Sequence, residues 1–264
     1  MHQTFTIAEI HTENYRTKTF IFDKPLPDAQ PGQYVMAWLP DVGEKPFSIA
    51  GGDPLALMVV AVGPFSEALH RLNVGDRVWV RGPLGQGFVL QGQHHLLVGG
   101  GYGVAPLLFL ARTIVAAGHT VDVCIGARTA EDVLLAEAFT STDSTDQTDN
   151  PLKSVQSVDK LHITTEDGTL GERGLVTQAV EAAIAARRPD CVYACGPVPM
   201  LTALARLCQA HGLLHQFSWE AHLRCGLGIC GSCELDAATR QAANIPAGWL
   251  VCKDGPVRIM NQES

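Results

Sequence analysis

The sequence predicts a multidomain α+β protein: an antiparallel β-barrel, then an open parallel sheet flanked by helices, then a small cysteine-rich unit. Three observations predict it. Short β-rich stretches follow one another over about the first ninety of 264 residues. From His94 onward, apolar strands alternate with longer helical stretches. From about Phe217 the periodicity fades, and four of the eight cysteines gather there. A chain of this length has room for two domains and a small appendage. It contains no internal repeat.

The stretches TFTIAEI, KTFIFD, QYVMAWLP, LALMVVAV and DRVWVRG carry the barrel prediction. Turn-formers such as Gln30-Pro31-Gly32 and Gly51-Gly52-Asp53-Pro54 separate them, and strands at this spacing close into small barrels. One helix interrupts them at residues 66–72, with Ser66 placed as its N-cap. HHLLVGGGYGVAPLLFLARTIVAAG then reads as a buried strand, a glycine turn and a helix ended by Gly118, and TVDVCIGA follows as the next strand. This is a βαβ unit, which requires a parallel sheet covered by helices. LHITTEDG, LVTQAVEAAIAARR, DCVYACG and PMLTALARLCQAHG continue the alternation. The expected boundaries are 1–91, 92–215 and 216–264. Residues 140–158 are polar and rich in Ser, Thr and Asp, and read as a mobile surface insertion.

The net charge of −8 argues against nucleic acid and anionic lipid as partners, because both want a basic face. The opening MHQTFTIAEI has no basic region followed by an apolar run, so no signal peptide is expected. No apolar stretch is long enough to span a bilayer. A cytoplasmic protein is therefore expected, and in that compartment clustered cysteines point to metal ligation rather than disulfides.

Cys225, Cys230, Cys233 and Cys252 follow the spacing C-x4-C-x2-C-x18-C. The first three match the plant-type [2Fe–2S] pattern, with the fourth ligand arriving from a later segment. Four thiolates must converge on two irons while the backbone wraps close around sulfide. Gly226, Gly228 and Gly231 permit that wrapping. A structural zinc site is the alternative, but zinc favours paired C-x2-C knuckles, and only one is present. Cys124, Cys191, Cys195 and Cys208 lie in apolar context and read as small buried residues.

The turn Gly99-Gly100-Gly101-Tyr102-Gly103 sits between a strand and a helix. A glycine turn there lets backbone approach a pyrophosphate at a helix N-terminus. No acidic ribose partner stands clearly about 20 residues on, since Asp122 falls within the second strand. Cys195-Gly196-Pro197 is another glycine-bearing turn at a strand end, where open parallel sheets bind ligands. In the barrel, Lys45-Pro46-Phe47-Ser48 and Arg81-Gly82-Pro83-Leu84-Gly85-Gln86-Gly87-Phe88 close strands. They offer a cation for pyrophosphate, an aromatic ring to stack on an isoalloxazine and a hydroxyl to reach a flavin nitrogen. Ser66 adds helix-start N–H groups for phosphate. Each of these alone is a weak signal, since a lysine beside a proline is usually a solvated edge and a strand phenylalanine usually core.

In order, KPFS, GPLGQGF, GGGYGVAPL, YACGPVPML, CGLGICGSC and VCKDGPV resemble the ferredoxin–NADP reductase superfamily. Within it they resemble the family of electron-transfer subunits of NAD-dependent dihydroorotate dehydrogenase. The resemblance covers almost the whole chain, and TEDGTLGERG at 165–174 is similar to a further family stretch. The cysteine loop and the VC-x-DGPV ending are the specific parts, because plain flavin reductases lack both. The resemblance implies an FAD-binding barrel, an NAD-binding parallel sheet and a [2Fe–2S] domain. It implies that Cys225, Cys230, Cys233 and Cys252 hold the cluster, and that Lys45 to Ser48, Val60, Phe65 and Ser66 contact FAD. It further implies that Gly100, Gly101, Gly103, Gly196 and Pro197 receive NAD(H), with Cys195 positioning the nicotinamide. There are departures: Lys45 stands where the family has arginine, Phe65-Ser66 replaces Gly-Thr, and the 140–158 insertion is longer.

The implied function is electron transfer between NAD(H), FAD and a [2Fe–2S] cluster, to or from a catalytic FMN-containing dihydroorotate dehydrogenase subunit in pyrimidine biosynthesis. A heterotetramer is implied. No (β/α)8 barrel and no second flavin site is legible in this chain, so dihydroorotate oxidation is expected on the partner. Two alternatives stand beside this: a related flavin/iron–sulfur NAD(P)H reductase serving ferredoxin, sulfur or polysulfide, and a non-catalytic zinc- and nucleotide-binding regulatory module. Arg128, just past the second strand, would meet a 2′-phosphate if NADPH were used, whereas the resemblance points to NADH.

Overall fold

The computed structural model describes residues 2–139, 155 and 158–260. The expected insertion at 140–158 thus lies outside the described residues apart from Val155 and Val158.

The first part is a closed six-stranded antiparallel barrel. Its strands are β1 (Gln3–Asn14), β2 (Thr17–Phe22), β3 (Tyr34–Leu39), β4 (Gly43–Gly52), β5 (Leu55–Val60) and β6 (Arg77–Leu84), in spatial order β1-β2-β5-β4-β3-β6. Alternation sends Phe5, Ile7, Phe20, Phe22, Val35, Ile49, Leu57 and Val80 inward, and a closed barrel leaves no unpaired edge. Lys45 to Ser48 lie inside β4 rather than closing a strand. The helix α1 (Pro64–His70) begins earlier than its sequence suggests, with Gly63 and not Ser66 at its N-cap. Pro64 explains the difference, because proline favours the first helical position, which moves Ser66 into the first turn. There the Ser66 hydroxyl accepts from Val62 N (2.9 Å) and Gly63 N (3.1 Å).

The second part is a seven-stranded sheet of order β10-β9-β8-β7-β11-β12-β13. Its elements are β7 (His94–Gly100), α2 (Val104–Ala116), β8 (Thr120–Ala127), β9 (Lys160–Thr165), β10 (Glu172–Arg173), α3 (Val176–Ala186), β11 (Cys191–Cys195), α4 (Val198–Ala210) and β12 (Leu214–Ser218). These strands run parallel, and every residue of β7 and β11 is buried. Buried parallel strands need helices on both faces, which explains why β7 and β11 are mostly apolar. After β12 come α5 (Ala237–Ala242) and β13 (Val257–Met260), which returns antiparallel to β12. The cysteine-rich segment is therefore threaded between two strands of the sheet.

Two cores join these parts. Ile21, Ala50 and Met58 of the barrel pack with Leu107, Leu108 and Ala111 of α2. Tyr34 and Met36 of β3 share the other core with Trp219, Cys233, Trp249 and Cys252. The barrel thus touches the nucleotide-type sheet on one side and the cysteine segment on the other.

Candidate electron-transfer sites at the sheet edge and the cysteine loop

From β7 the chain steps outward through β8, β9 and β10, then crosses back to β11 beside β7. The order reverses between β7 and β11, and open α/β sheets bind ligands at such a switch point, beyond the carboxyl ends of the strands. Both glycine turns lie there, since Cys195 pairs with Gly99. They touch: a Cβ on Gly103 would overlap the Cys195 carbonyl, and one on Gly196 would come within 3.0 Å of Gly100 Cα. Glycine is required by this close approach. The N-terminus of α2, following Gly103, faces the same crevice.

Beyond these turns lies a cavity of about 570 Å³. Gly100, Gly101, Tyr102, Pro197 and Met200 line its sheet side, and Thr17 and Val60 its barrel side. Arg128 and Glu166 also line it. This size and two-sided wall suit a cofactor site. The turn between β1 and β2 is tied over it: Arg16 Nη2 meets Asp132 Oδ1 at 3.3 Å, and the Tyr15 hydroxyl donates to the same oxygen at 3.1 Å. Asp122 is elsewhere. It pairs with Leu96 near the opposite end of the sheet, 3.5 Å from His94 Nε2, and is no ribose partner.

Cys195 is buried, and burial, with Glu220 nearby, pushes its thiol up to about 12. It remains protonated near neutrality and presents a neutral, polarisable surface. Next to it Tyr102 donates to Glu220 Oε2 at 3.0 Å, and burial raises the Glu220 carboxyl. Neither residue stood out in the sequence, because the pair spans 118 positions.

In the barrel, Lys45 and Ser48 are exposed on β4, and Pro46 and Phe47 are partly buried. Lys45 forms no ion pair among the described residues. Phe65 is in the barrel core, its ring 5.9 Å from that of Phe47 at 32°. Its ring is thus a packing surface beneath Phe47. The register pairs Tyr34 with Ser48, Val35 with Phe47 and Ala37 with Lys45.

The four cysteines meet in two pairs. Cys225 and Cys230 contact each other through their side chains, as do Cys233 and Cys252. Among the described residues no three ligating side chains surround one point for a single ion. Pairing suits a two-iron centre, with two thiolates per iron, better than one tetrahedral zinc. Backbone N–H groups aim at the sulfurs: Leu227 N lies 3.4 Å from Cys225 Sγ and Gly228 N 3.2 Å from Cys252 Sγ. N–H groups of Leu227, Cys230 and Ile229 lower the Cys225 thiol to about 6, and the Ser232 hydroxyl lowers Cys230. Burial instead raises Cys252 to about 12. Gly226, Gly228 and Gly231 have φ of 64°, 76° and 70°, the left-handed turns that such wrapping needs. The residues fit the cluster.

Two barrel residues seat this loop, and the sequence did not mark either for that task. The buried Tyr34 hydroxyl donates to Cys252 O at 2.9 Å. Arg81 Nη2 donates to Cys225 O at 3.0 Å and pairs with Glu44 Oε2 at 3.0 Å. Arg81 is therefore spent on the cysteine loop and not on a pyrophosphate. GPLGQGF and VCKDGPV also meet, because a Cβ on Gly85 would lie 2.5 Å from Gly255 O.

Residues 97–206 match the oxidoreductase NAD-binding domain, and residues 220–262 match the iron–sulfur cluster binding domain of dihydroorotate dehydrogenase B. The chain is 38% identical over 259 residues to the probable electron transfer subunit of dihydroorotate dehydrogenase B (NAD(+)) of Thermococcus kodakarensis, covering 97% of this chain and 96% of that one. The protein of the same name from Methanocaldococcus jannaschii is 34% identical, covering 95% and 87%. Among solved structures, a chain from the NADH-dependent reduced ferredoxin–NADP oxidoreductase superposes with a TM-score of 0.76 at 25% identity, covering 97% of this chain and 87% of that one. A ferredoxin reductase of carbazole 1,9a-dioxygenase shares the fold, with a TM-score of 0.63 at 22% identity, covering 81% and 66%.

Proposed function

The chain belongs to the family of dihydroorotate dehydrogenase B electron transfer subunits, and on that premise we propose that it carries electrons between NAD(H) and a catalytic FMN-containing partner subunit in pyrimidine biosynthesis. When bound, the nicotinamide supplies a hydride, FAD converts the pair to single electrons, and a [2Fe–2S] cluster carries them one at a time. The chain's own residues bind, orient and shield these groups.

Segment 1–91 holds FAD, with Lys45 at its phosphates, Phe47 and Ser48 along β4, and Val60 and the Phe65-Ser66 turn beside them. Among the described residues Lys45 has no ion pair, so its charge is available to a pyrophosphate. A lysine offers a point charge rather than the bidentate fork of the family's arginine. Segment 92–215 holds NAD(H), with Gly100, Gly101, Gly103, Gly196 and Pro197 giving backbone access. Cys195 positions the nicotinamide without charge. Segment 216–264 holds the cluster through Cys225, Cys230, Cys233 and Cys252.

One observation carries this reading. Tyr34 is the cross-strand partner of Ser48 and hydrogen-bonds Cys252 O. The strand proposed to carry the flavin and the cluster loop are thus linked through one residue, Tyr34, whose backbone pairs with β4 across about 5 Å and whose hydroxyl reaches the Cys252 carbonyl. The pathway needs no protein general base. Dihydroorotate oxidation belongs to the partner, and the two chains form a cytoplasmic heterotetramer. Among the described residues no helix is long and apolar enough to cross a membrane. The likeness to the NADH-dependent ferredoxin–NADP oxidoreductase favours a second reading, a reductase for ferredoxin.

The test is an anaerobic visible spectrum before and after NADH, followed by addition of the catalytic subunit or of ferredoxin. Bleaching of flavin and iron–sulfur bands by NADH supports the pathway. Reduction of the catalytic subunit in preference to ferredoxin supports the first reading, and the reverse supports the second. A colourless protein with one zinc would overturn both.

A further inference from the structure

Arg81 has an unusual set of contacts for a strand residue. Its Nε donates to Glu44 Oε1 at 3.3 Å, and its Nη2 serves both Glu44 Oε2 and the Cys225 carbonyl at 3.0 Å. Its Nη1 is buried and has no partner among the described residues. An orphaned buried N–H is costly, and a guanidinium has no neutral form to retreat to. The orphan has a direction. A Cβ on Gly226, the residue after the first cysteine, would lie 3.4 Å from Nη1. Arg81, Cys225, Cys233 and Cys252 all lie within electrostatic reach of the same Tyr34 hydroxyl. The guanidinium therefore lies against the start of the cysteine loop, at the Cys225 carbonyl and Gly226. Glu44 Oε1, which accepts from Arg81 Nε, also meets His2 Nε2 at 3.0 Å.

We propose that Arg81 is a positioning residue that raises the reduction potential of the cluster, holding the Cys225 carbonyl and presenting Nη1 to the cluster's sulfur face, and that Glu44 tempers this charge. The proposal rests on the reading of the four cysteines as [2Fe–2S] ligands. Its physical basis is that reduction adds one negative charge to the cluster. A fixed cation in a low-dielectric space stabilises that charge, and a neighbouring carboxylate opposes it. Net charge and hydrogen bonds to the sulfurs are the protein's levers on such potentials. The consequence is functional, because the potential sets how far the cluster draws electrons from the flavin.

The experiment is an EPR-monitored redox titration of the loaded protein and of Arg81→Gln, Arg81→Lys and Glu44→Gln, with iron counted per chain. Arg81→Gln should lower the one-electron reduction equilibrium constant of the cluster about tenfold, a shift of about 59 mV to the negative side. Glu44→Gln should move it the other way, and Arg81→Lys should stay nearer the parent. The flavin potential should hold in all three. A clip with no electrostatic role would cost iron content and stability but leave the potentials of loaded molecules equal, and that result overturns the proposal. Shifts of the same sign in Arg81→Gln and Glu44→Gln would also overturn it. If Arg81→Gln fails to hold iron, Glu44→Gln decides: a rise supports the proposal, and no change or a fall overturns it. A parent protein that binds iron with no [2Fe–2S] signal would overturn the ligand reading itself, and the proposal with it.

Discussion

Two residues show how local chemistry and packing set the site. Cys230 is the most exposed of the four clustered thiols, beside Leu227 and Ile229, whose side chains also face solvent at 57% and 79% exposure. Its substitution by serine removes a proposed cluster ligand without opening a core cavity. Cys230→Ser should therefore leave NADH reduction of FAD near its normal rate and lower reduction of the partner at least a hundredfold, as followed by stopped-flow absorbance. A variant that still delivers electrons at the normal rate would contradict the assigned path. Gly103 is a different case. Its φ of −62° suits any residue, so only space excludes a side chain there. The added methyl of Gly103→Ala meets backbone at Cys195, which cannot swing away as a side chain could. A cost of about 1–3 kcal/mol is expected, read from urea unfolding, together with weaker NADH binding. An unchanged unfolding midpoint would show that the two turns separate freely.

At the scale of elements, the strands β7 and β11 work at one end and store titratable groups at the other. His95 is fully buried on β7, with its Nε2 3.0 Å from His119 Nδ1 and its ring 5.6 Å from that of Tyr193. Burial, helped by His119 and opposed by Asp190, pushes it down to about 4. Burial also lowers His94, and His215 on β12. In the unfolded chain these groups take protons near their ordinary value of about 6.5. The native state binds fewer protons between those limits, so stability must fall as pH drops from about 6.5 to about 4. Urea midpoints measured across that range should decline, and His95→Gln should flatten the decline. Equal slopes for parent and variant would show that His95 does not drive it. The element boundaries tell a related story. The glycine-ended helix α2 and strand β8 were legible because their apolar periods are local. The start of α1 was shifted by Pro64, whose preference for the first turn outweighs the capping preference of Ser66.

Across the whole molecule, residues 219–256 are held by packing and side-chain contacts more than by secondary structure. The segment has one six-residue helix, α5, capped by Asp236, which accepts from Thr239 N. Trp249, Val251 and Cys252 anchor it to the sheet and to Tyr34. If the cysteines hold iron, metal binding and local folding are one equilibrium. Chelating the iron should raise amide exchange across 219–256 by tenfold or more, while β7, β8 and β11 keep their protection. Equal protection with and without iron would mean that packing alone orders the loop.

The sequence by itself determined the barrel, the alternating parallel sheet, the two glycine turns and the cysteine spacing. Each depends mostly on neighbours within a few positions: alternation of apolar residues, a glycine at a strand end, three cysteines on one short loop. Tertiary structure alone decided what those pieces meet. It put GGGYG beside Cys195-Gly196-Pro197, because the sheet reverses order between β7 and β11. It sent Asp122 away from the crevice, because strand direction assigns residues at the start of β8 to the opposite end of the sheet. It turned Arg81 from a phosphate candidate into a contact of Cys225, 144 positions away, and Tyr34 into a contact of Cys252, 218 positions away. Such contacts leave no local pattern, since the closure of the barrel and the return of β13 to the sheet bring them together.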